Sequence, residues 1–187
     1  NLQSEEDIAK QRNPLINEAF AELKKMADAV SPDSVEGVVF NIAAFGRITG
    51  PRAAEYAQKK QAQVEVHKYP SGKKVIKAFL AEDFEFFDKN DNPILVVDES
   101  ALKKVAYMTC IWRIQKNRQN GQKIRIDIDR QRPEICPVIN AMWLVLRKLR
   151  LGHSLDLPLA VFADPKTGVV KYLTASKIAD VLRAATR

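Results

Sequence analysis

Apolar positions in residues 14–30 recur at helical spacing through Leu15, Ile16, Ala19, Phe20, Leu23, Met26, Ala27 and Val30, and Ser31-Pro32-Asp33 ends the run. Ser34 is placed to cap a second helix through Val38, Val39, Ile42, Ala43 and Phe45 to Gly46. That segment is almost wholly apolar after Glu36, which predicts a buried helix. Pro51 suits a first helical turn, so a third helix is expected from there through Arg52, Ala53, Ala54, Glu55 and Tyr56 towards Gln63.

The period then changes. Residues 64–68, 74–80, 84–87 and 94–97 read as short strands, separated by the turn sequences Tyr69-Pro70-Ser71-Gly72 and Asp88-Lys89-Asn90-Asp91-Asn92. A longer hairpin follows, with residues 105–114 as one arm and Ile124, Ile126 and Ile128 alternating with Arg125, Asp127 and Asp129 in the other. After Cys136-Pro137, an amphipathic helix is expected to reach Leu151. Residues 159–162 and 169–173 form a last hairpin around Asp164-Pro165-Lys166-Thr167-Gly168, and Thr174 caps a final helix. The predicted class is α+β, mostly helical with inserted antiparallel β-hairpins. With no repeat and no Gly/Ser linker, the chain divides only into a leading helix and linker (1–33) and a main unit (34–187).

Composition narrows the class of protein. The 187 residues are 46% hydrophobic and 28% charged, as in globular domains. No apolar run approaches the ~20 residues that cross a bilayer, and the opening Asn1-Leu2-Gln3-Ser4-Glu5-Glu6-Asp7 is not a signal peptide. Two cysteines, Cys110 and Cys136, form no CxxC pair and read as reduced thiols. The expected setting is intracellular, and nuclear if the source is eukaryotic, with no membrane partner. The chain carries a net charge of +7. Residues 111–150 hold ten bases (Arg113, Lys116, Arg118, Lys123, Arg125, Arg130, Arg132, Arg147, Lys148, Arg150) against Asp127, Asp129 and Glu134, a surplus equal to that of the whole chain. That concentration suggests a stretch facing a polyanion.

Most catalytic signatures are missing. There is no Walker sequence, GxGxxG or GxSxG. His67 and His153 lack nearby Cys or His partners for zinc. Asp88, Asn90, Asn92 and Glu99 match calcium-loop positions, but Pro93 stands where the loop needs glycine, so a hairpin turn is expected there. Asp127 and Asp129 alternate with Arg125 and Arg130 as charges on an exposed strand face do. No metal or cofactor is expected.

One constellation does carry chemistry. Phosphoryl transfer on DNA needs cations aimed at the phosphate oxygens and a proton donor for the leaving oxygen. Gly50-Pro51-Arg52-Ala53-Ala54-Glu55-Tyr56 resembles the first motif of the tyrosine recombinases (phage integrase family), an Arg followed three residues later by Glu at the start of a buried helix. Gln115-Lys116-Asn117-Arg118-Gln119-Asn120-Gly121 resembles that family's β-hairpin. Cys136-Pro137-Val138 and Pro158-Leu159-Ala160-Val161-Phe162 are similar to its continuation, and the wording around Tyr69-Pro70-Ser71-Gly72-Lys73-Lys74 is similar to eukaryotic, Crypton-like members. The resemblance spans roughly residues 35–187 and implies a recombinase-like catalytic domain. It implies Arg52 as phosphate clamp, Glu55 as its support and Lys116 as the minor-groove lysine. The basic hairpin and its flanks, Arg113, Arg118, Gln119, Lys123, Arg125, Arg130 and Arg132, are the expected DNA contacts. Arg47 is a rival for the first arginine.

The chain departs from the family pattern in two places. Neither histidine has Arg at the third following position, and Tyr56, Tyr69, Tyr107 and Tyr172 fall on expected helix or strand positions as half-buried packing residues. Two readings follow. The chain is a C-terminally incomplete recombinase domain that binds duplex DNA and acts in cleavage and rejoining once completed, or it is a non-catalytic DNA-binding or assembly protein on the same scaffold, with self-association on DNA left open. A weaker third reading is an RNA-binding or anionic-partner module.

Overall fold

The computed structural model describes residues 17–50, 53–61, 63–113 and 121–187 and shows helices mixed with small antiparallel sheets. Helix α1 (Asn17–Asp28) turns Phe20 and Leu23 inward, and Lys24 pairs with Asp28 one turn on at 2.5 Å. Helix α2 (Val35–Thr49) starts where expected, with the Ser34 hydroxyl accepting the Gly37 N–H at 3.1 Å. It ends at Gly50, whose φ of 66° suits glycine and whose N–H reaches the Gly46 carbonyl at 2.8 Å.

The third helix is shorter than its sequence suggests. α3 covers only Ala53–Tyr56. Just beyond it, the Gln58 N–H donates to the Leu173 carbonyl at 2.8 Å, and the Gln58 side-chain oxygen accepts the Glu65 N–H at 2.7 Å. These long-range bonds override helix propensity. Strands β1 (Val66–Lys68) and β2 (Lys74–Ile76) then pair antiparallel across a turn closed by Gly72 N–H to the Tyr69 carbonyl at 2.9 Å. The arm expected to run to residue 80 leaves the sheet early, because Phe79 donates instead to the Glu55 carbonyl at 2.6 Å.

A three-stranded sheet in the order β3 (Phe84–Asp88), β4 (Val105–Trp112), β5 (Gln122–Asp127) forms the centre. Strand alternation sends Phe84, Phe86, Met108, Cys110 and Trp112 into the core and leaves Glu85, Lys123 and Arg125 outside. The strand expected at 94–97 does not form. Asp88 ties its own turn by accepting the N–H groups of Asn90 and Asn92 at 2.8 and 3.0 Å. Pro93 makes one bridge to Phe87, and Ile94 donates to the Phe86 carbonyl at 2.8 Å. The chain then swings away with Leu95 and Val96 in solvent, until the single turn α4 (Ala101–Lys104) leads it into β4.

Helix α5 (Pro137–Arg150) begins on proline and packs along α2, burying Val138, Ala141, Met142 and Val145. The hairpin of β6 (Val161–Ala163) and β7 (Val170–Tyr172) forms as read, and α6 (Ala175–Ala185) is capped by the Thr174 hydroxyl. One apolar cluster joins Phe20 and Leu23 of α1 to α2, the sheet, α5 and α6, so the helix set apart in 1–33 shares the core of the main unit.

Candidate nucleic-acid interface

Of the residues singled out in the sequence, Arg52, Lys116, Arg118 and Gln119 lie outside the described residues. Glu55 is buried in α3, and the 3-10 turn Ala81–Asp83 presents Asp83 to the same interior region. The Cys110 thiol of β4 is pushed up to about 12 by burial first, then by the charges of Asp83 and Glu55. The helix that follows Arg52 and the strand that leads to Lys116 therefore converge on one place. Arg113, at the end of that strand, donates through Nε to both Asp83 oxygens at 2.6 and 2.5 Å and through Nη2 to Glu82 at 2.5 Å. Burial raises the Asp83 carboxyl above its usual range, against the opposing pull of the Arg113 hydrogen bond.

The other cations of residues 111–150 are engaged in the same way. Lys123 pairs with Glu85 at 2.5 Å, which with Thr109 holds the Glu85 carboxyl low. Arg125 meets Asp127 at 3.0 Å and lies 3.6 Å over the Tyr107 ring, itself stacked on Phe87. Arg130 donates to the carbonyls of Lys103 and Val105 at 2.9 and 2.7 Å, Arg132 to Asp129 at 2.9 Å, and Arg150 to Asp33 at 2.6 Å.

Two cations are inside the protein. Arg147 is 2% exposed, donating to the Pro32 carbonyl at 2.8 Å and to Asn41 Oδ1 at 2.6 Å, and Asn41 in turn donates to Asn140 Oδ1 at 2.8 Å. Gly37 makes room for this arrangement, since a Cβ there would stand 2.7 Å from the Pro32 oxygen and 3.2 Å from Arg147 Nη2. Lys148 is fully buried with Nζ donating to the Leu157 and Pro158 carbonyls at 2.5 and 2.7 Å. Burial lowers Arg147 to about 9 and Lys148 to about 8. The expectation that the whole stretch faces a polyanion is therefore corrected. Asp33, Glu82, Asp83 and Glu85, none of them in the stretch, answer part of its charge, and Arg147 and Lys148 hold the fold together.

Positive charge without an acidic partner lies elsewhere. Residues 59–77 carry six lysines against one acid, Glu65. Among the described residues only Lys77 of the six is in an ion pair, with Glu65 at 3.4 Å, while Lys59, Lys60, Lys68, Lys73 and Lys74 are exposed without one. The β1–β2 hairpin borders a cleft of about 680 Å³ lined by Tyr69, Ser71, Lys73, Arg113 and Gly121, among others. Arg113 and Gly121 bracket residues 114–120, so the cleft separates the lysine hairpin from the root of the β4–β5 hairpin. Balancing charge over the rest of the chain hid this cluster. Six lysines in 19 residues around a Tyr-Pro-Ser-Gly turn was the available signal.

The tyrosines are packed. Tyr56 is half-buried and raised by burial and by Glu55, and Tyr107 lies under Arg125. Tyr172 stands edge-on to His153 at 5.4 Å, and Tyr69, in the turn after β1 rather than within a strand, edge-on to His67 at 4.6 Å. Arg47 is exposed at the end of α2, bonded to Asn17 at 2.5 Å. Among the described residues no group of three or more His, Cys, Asp or Glu is placed to hold a metal ion, and no helix is long and apolar enough to cross a membrane. Comparison with known protein families, curated proteins and solved structures found no match.

Proposed function

We propose that this chain is the duplex-DNA-binding part of a tyrosine-recombinase-like protein, with Arg52 clamping the phosphate, Glu55 supporting it and Lys116 reaching the DNA from the β4–β5 hairpin. The observation that carries the reading is the cleft between two hairpins, one bearing the exposed lysines Lys68, Lys73 and Lys74 without ion pairs, with Lys59 and Lys60 shortly before it in the chain, and the other rooted at Arg113 and Gly121. Lysines free of acidic partners can displace condensed counterions from a phosphate backbone without breaking an internal bond. The packed tyrosines support a narrower statement about these 187 residues, that they bind DNA and leave it uncut. A non-catalytic DNA-binding or assembly protein on this scaffold is the second reading, favoured by that same packing.

The test is binding to duplex DNA across a salt series, followed by incubation with a nicked suicide substrate. With about five phosphate contacts, affinity falls between about 10²- and 10³-fold over a fourfold rise in salt. No covalent adduct forms on a denaturing gel. A flat salt response sinks the DNA reading, and an adduct formed by these residues overturns the account of the tyrosines.

A further inference from the structure

A second surface of the molecule has the opposite character. A groove of about 830 Å³ runs between β3, the segment after Pro93 and the end of α5, with Phe84, Phe86 and Val145 in its lining. Leu95 (88% exposed), Val96 (72%), Leu149 and Leu155 also line it, which gathers half of the eight large hydrophobic side chains exposed among the described residues in one place. Scattered exposed leucines need no explanation, but apolar side chains gathered along a groove mark a contact surface. The charged residues lining the groove are Glu82, Glu85 and Asp156, three carboxylates and no cation, in a chain whose net charge is +7. Glu82 pairs with Arg113 and Glu85 with Lys123, cations that do not line the groove, and Asp156 accepts the Ser154 hydroxyl, so the rim presents carboxylate oxygens while the floor is apolar.

We propose that this groove docks a short apolar segment flanked by lysine or arginine, presented by another protein. Apolar side chains of the partner would fill the space above Phe84, Phe86 and Val145, and its flanking cations would meet the three carboxylates. Apolar burial supplies the affinity and the rim charge selects the partner's sign. The same rim disfavours DNA, so the groove and the lysine hairpin sort two kinds of partner.

Fluorescence anisotropy with two synthetic peptides tests this, both with a Leu/Ile core of about six residues, one flanked by lysines and the other by glutamates. The lysine-flanked peptide binds at least tenfold more tightly, the preference shrinks as salt rises, and saturating duplex DNA leaves it in place. Leu95→Asp with Val96→Asp abolishes the binding without shifting the melting temperature or DNA affinity, since both side chains already stand in solvent. Equal affinity for the two peptides, no binding of either, or unchanged binding by the double variant overturns the proposal. So does sedimentation showing a concentration-dependent dimer that the double variant abolishes, because the groove's occupant is then a second copy of this chain.

Discussion

Residues 111–150 and residues 59–77 are both basic in sequence and differ in what their cations do. In the first, among the described residues, every arginine and lysine is held by a carboxylate or a backbone carbonyl of its own protein, or is buried outright. In the second, five of six lysines project without an acidic neighbour. The two segments therefore give different fields at the surface. Charge density along a chain predicts attraction to a polyanion only where the fold leaves its cations unpaired, and here Asp33, Glu82, Asp83 and Glu85 pair with cations of the longer segment, while in the shorter one, among the described residues, only Lys77 is paired, with Glu65.

That contrast is open to direct attack. The largest expected effect is on stability in the first region: Arg147→Ala strips donors from the Pro32 carbonyl and Asn41 and leaves a void, and should lower unfolding free energy by about 3 kcal/mol in urea denaturation. If the loss is negligible, Arg147 is not a fastener. Next comes binding in the second region, where Lys68→Gln, Lys73→Gln and Lys74→Gln together should weaken duplex-DNA affinity by about 30- to 100-fold and lower the salt slope by about 3. The paired Arg125→Gln and Arg132→Gln should cost about threefold or less, and a reversed order of the two sets breaks the comparison.

A pH series sharpens it further. Lys148 titrates near 8 in the fold against its ordinary 10.5, so between those values the unfolded chain alone keeps the proton. The stability of the native protein relative to Lys148→Met should therefore rise with pH through that window, on the order of 1 kcal/mol per pH unit, and stay level below it. The smallest effect belongs to the exposed Lys123–Glu85 pair, where Lys123→Ala should change stability by less than about 1 kcal/mol.

How much of this could be seen in the sequence depended on whether the deciding interaction was local. The Ser34 and Thr174 caps, the proline start of α5 and the alternation in β4 and β5 rest on neighbours within a few residues, and they were readable. The truncation of α3 was not, because it depends on Gln58 bonding Leu173, far along the chain. Residues 94–97 have strand composition but meet only one bridge before Leu95 and Val96 turn out to solvent. The amphipathic pattern of α5 placed Val138, Met142 and Leu146 inside but also Leu149, which stands exposed, and nothing in it revealed that Arg147 and Lys148 turn inward, since their acceptors include carbonyls of residues 32, 157 and 158. Of the candidate site, Arg113 was named as a DNA contact, while its clamp on Asp83 and the lysine hairpin across the cleft needed the tertiary fold.

The contact at Gly37 has a mechanical side. The short join between α1 and α2 is gripped from α5 at two successive residues, Pro32 through Arg147 and Asp33 through Arg150, and the missing side chain at position 37 lets that grip close. A join held in this way cannot act as a hinge. A torque applied to α1 passes through Pro32 and Asp33 into α5, and from there to the elements packed on it, so the two helices turn as one lever. A methyl group at residue 37 would wedge the joint open and leave α1 tied to the rest only through its own packing in the core.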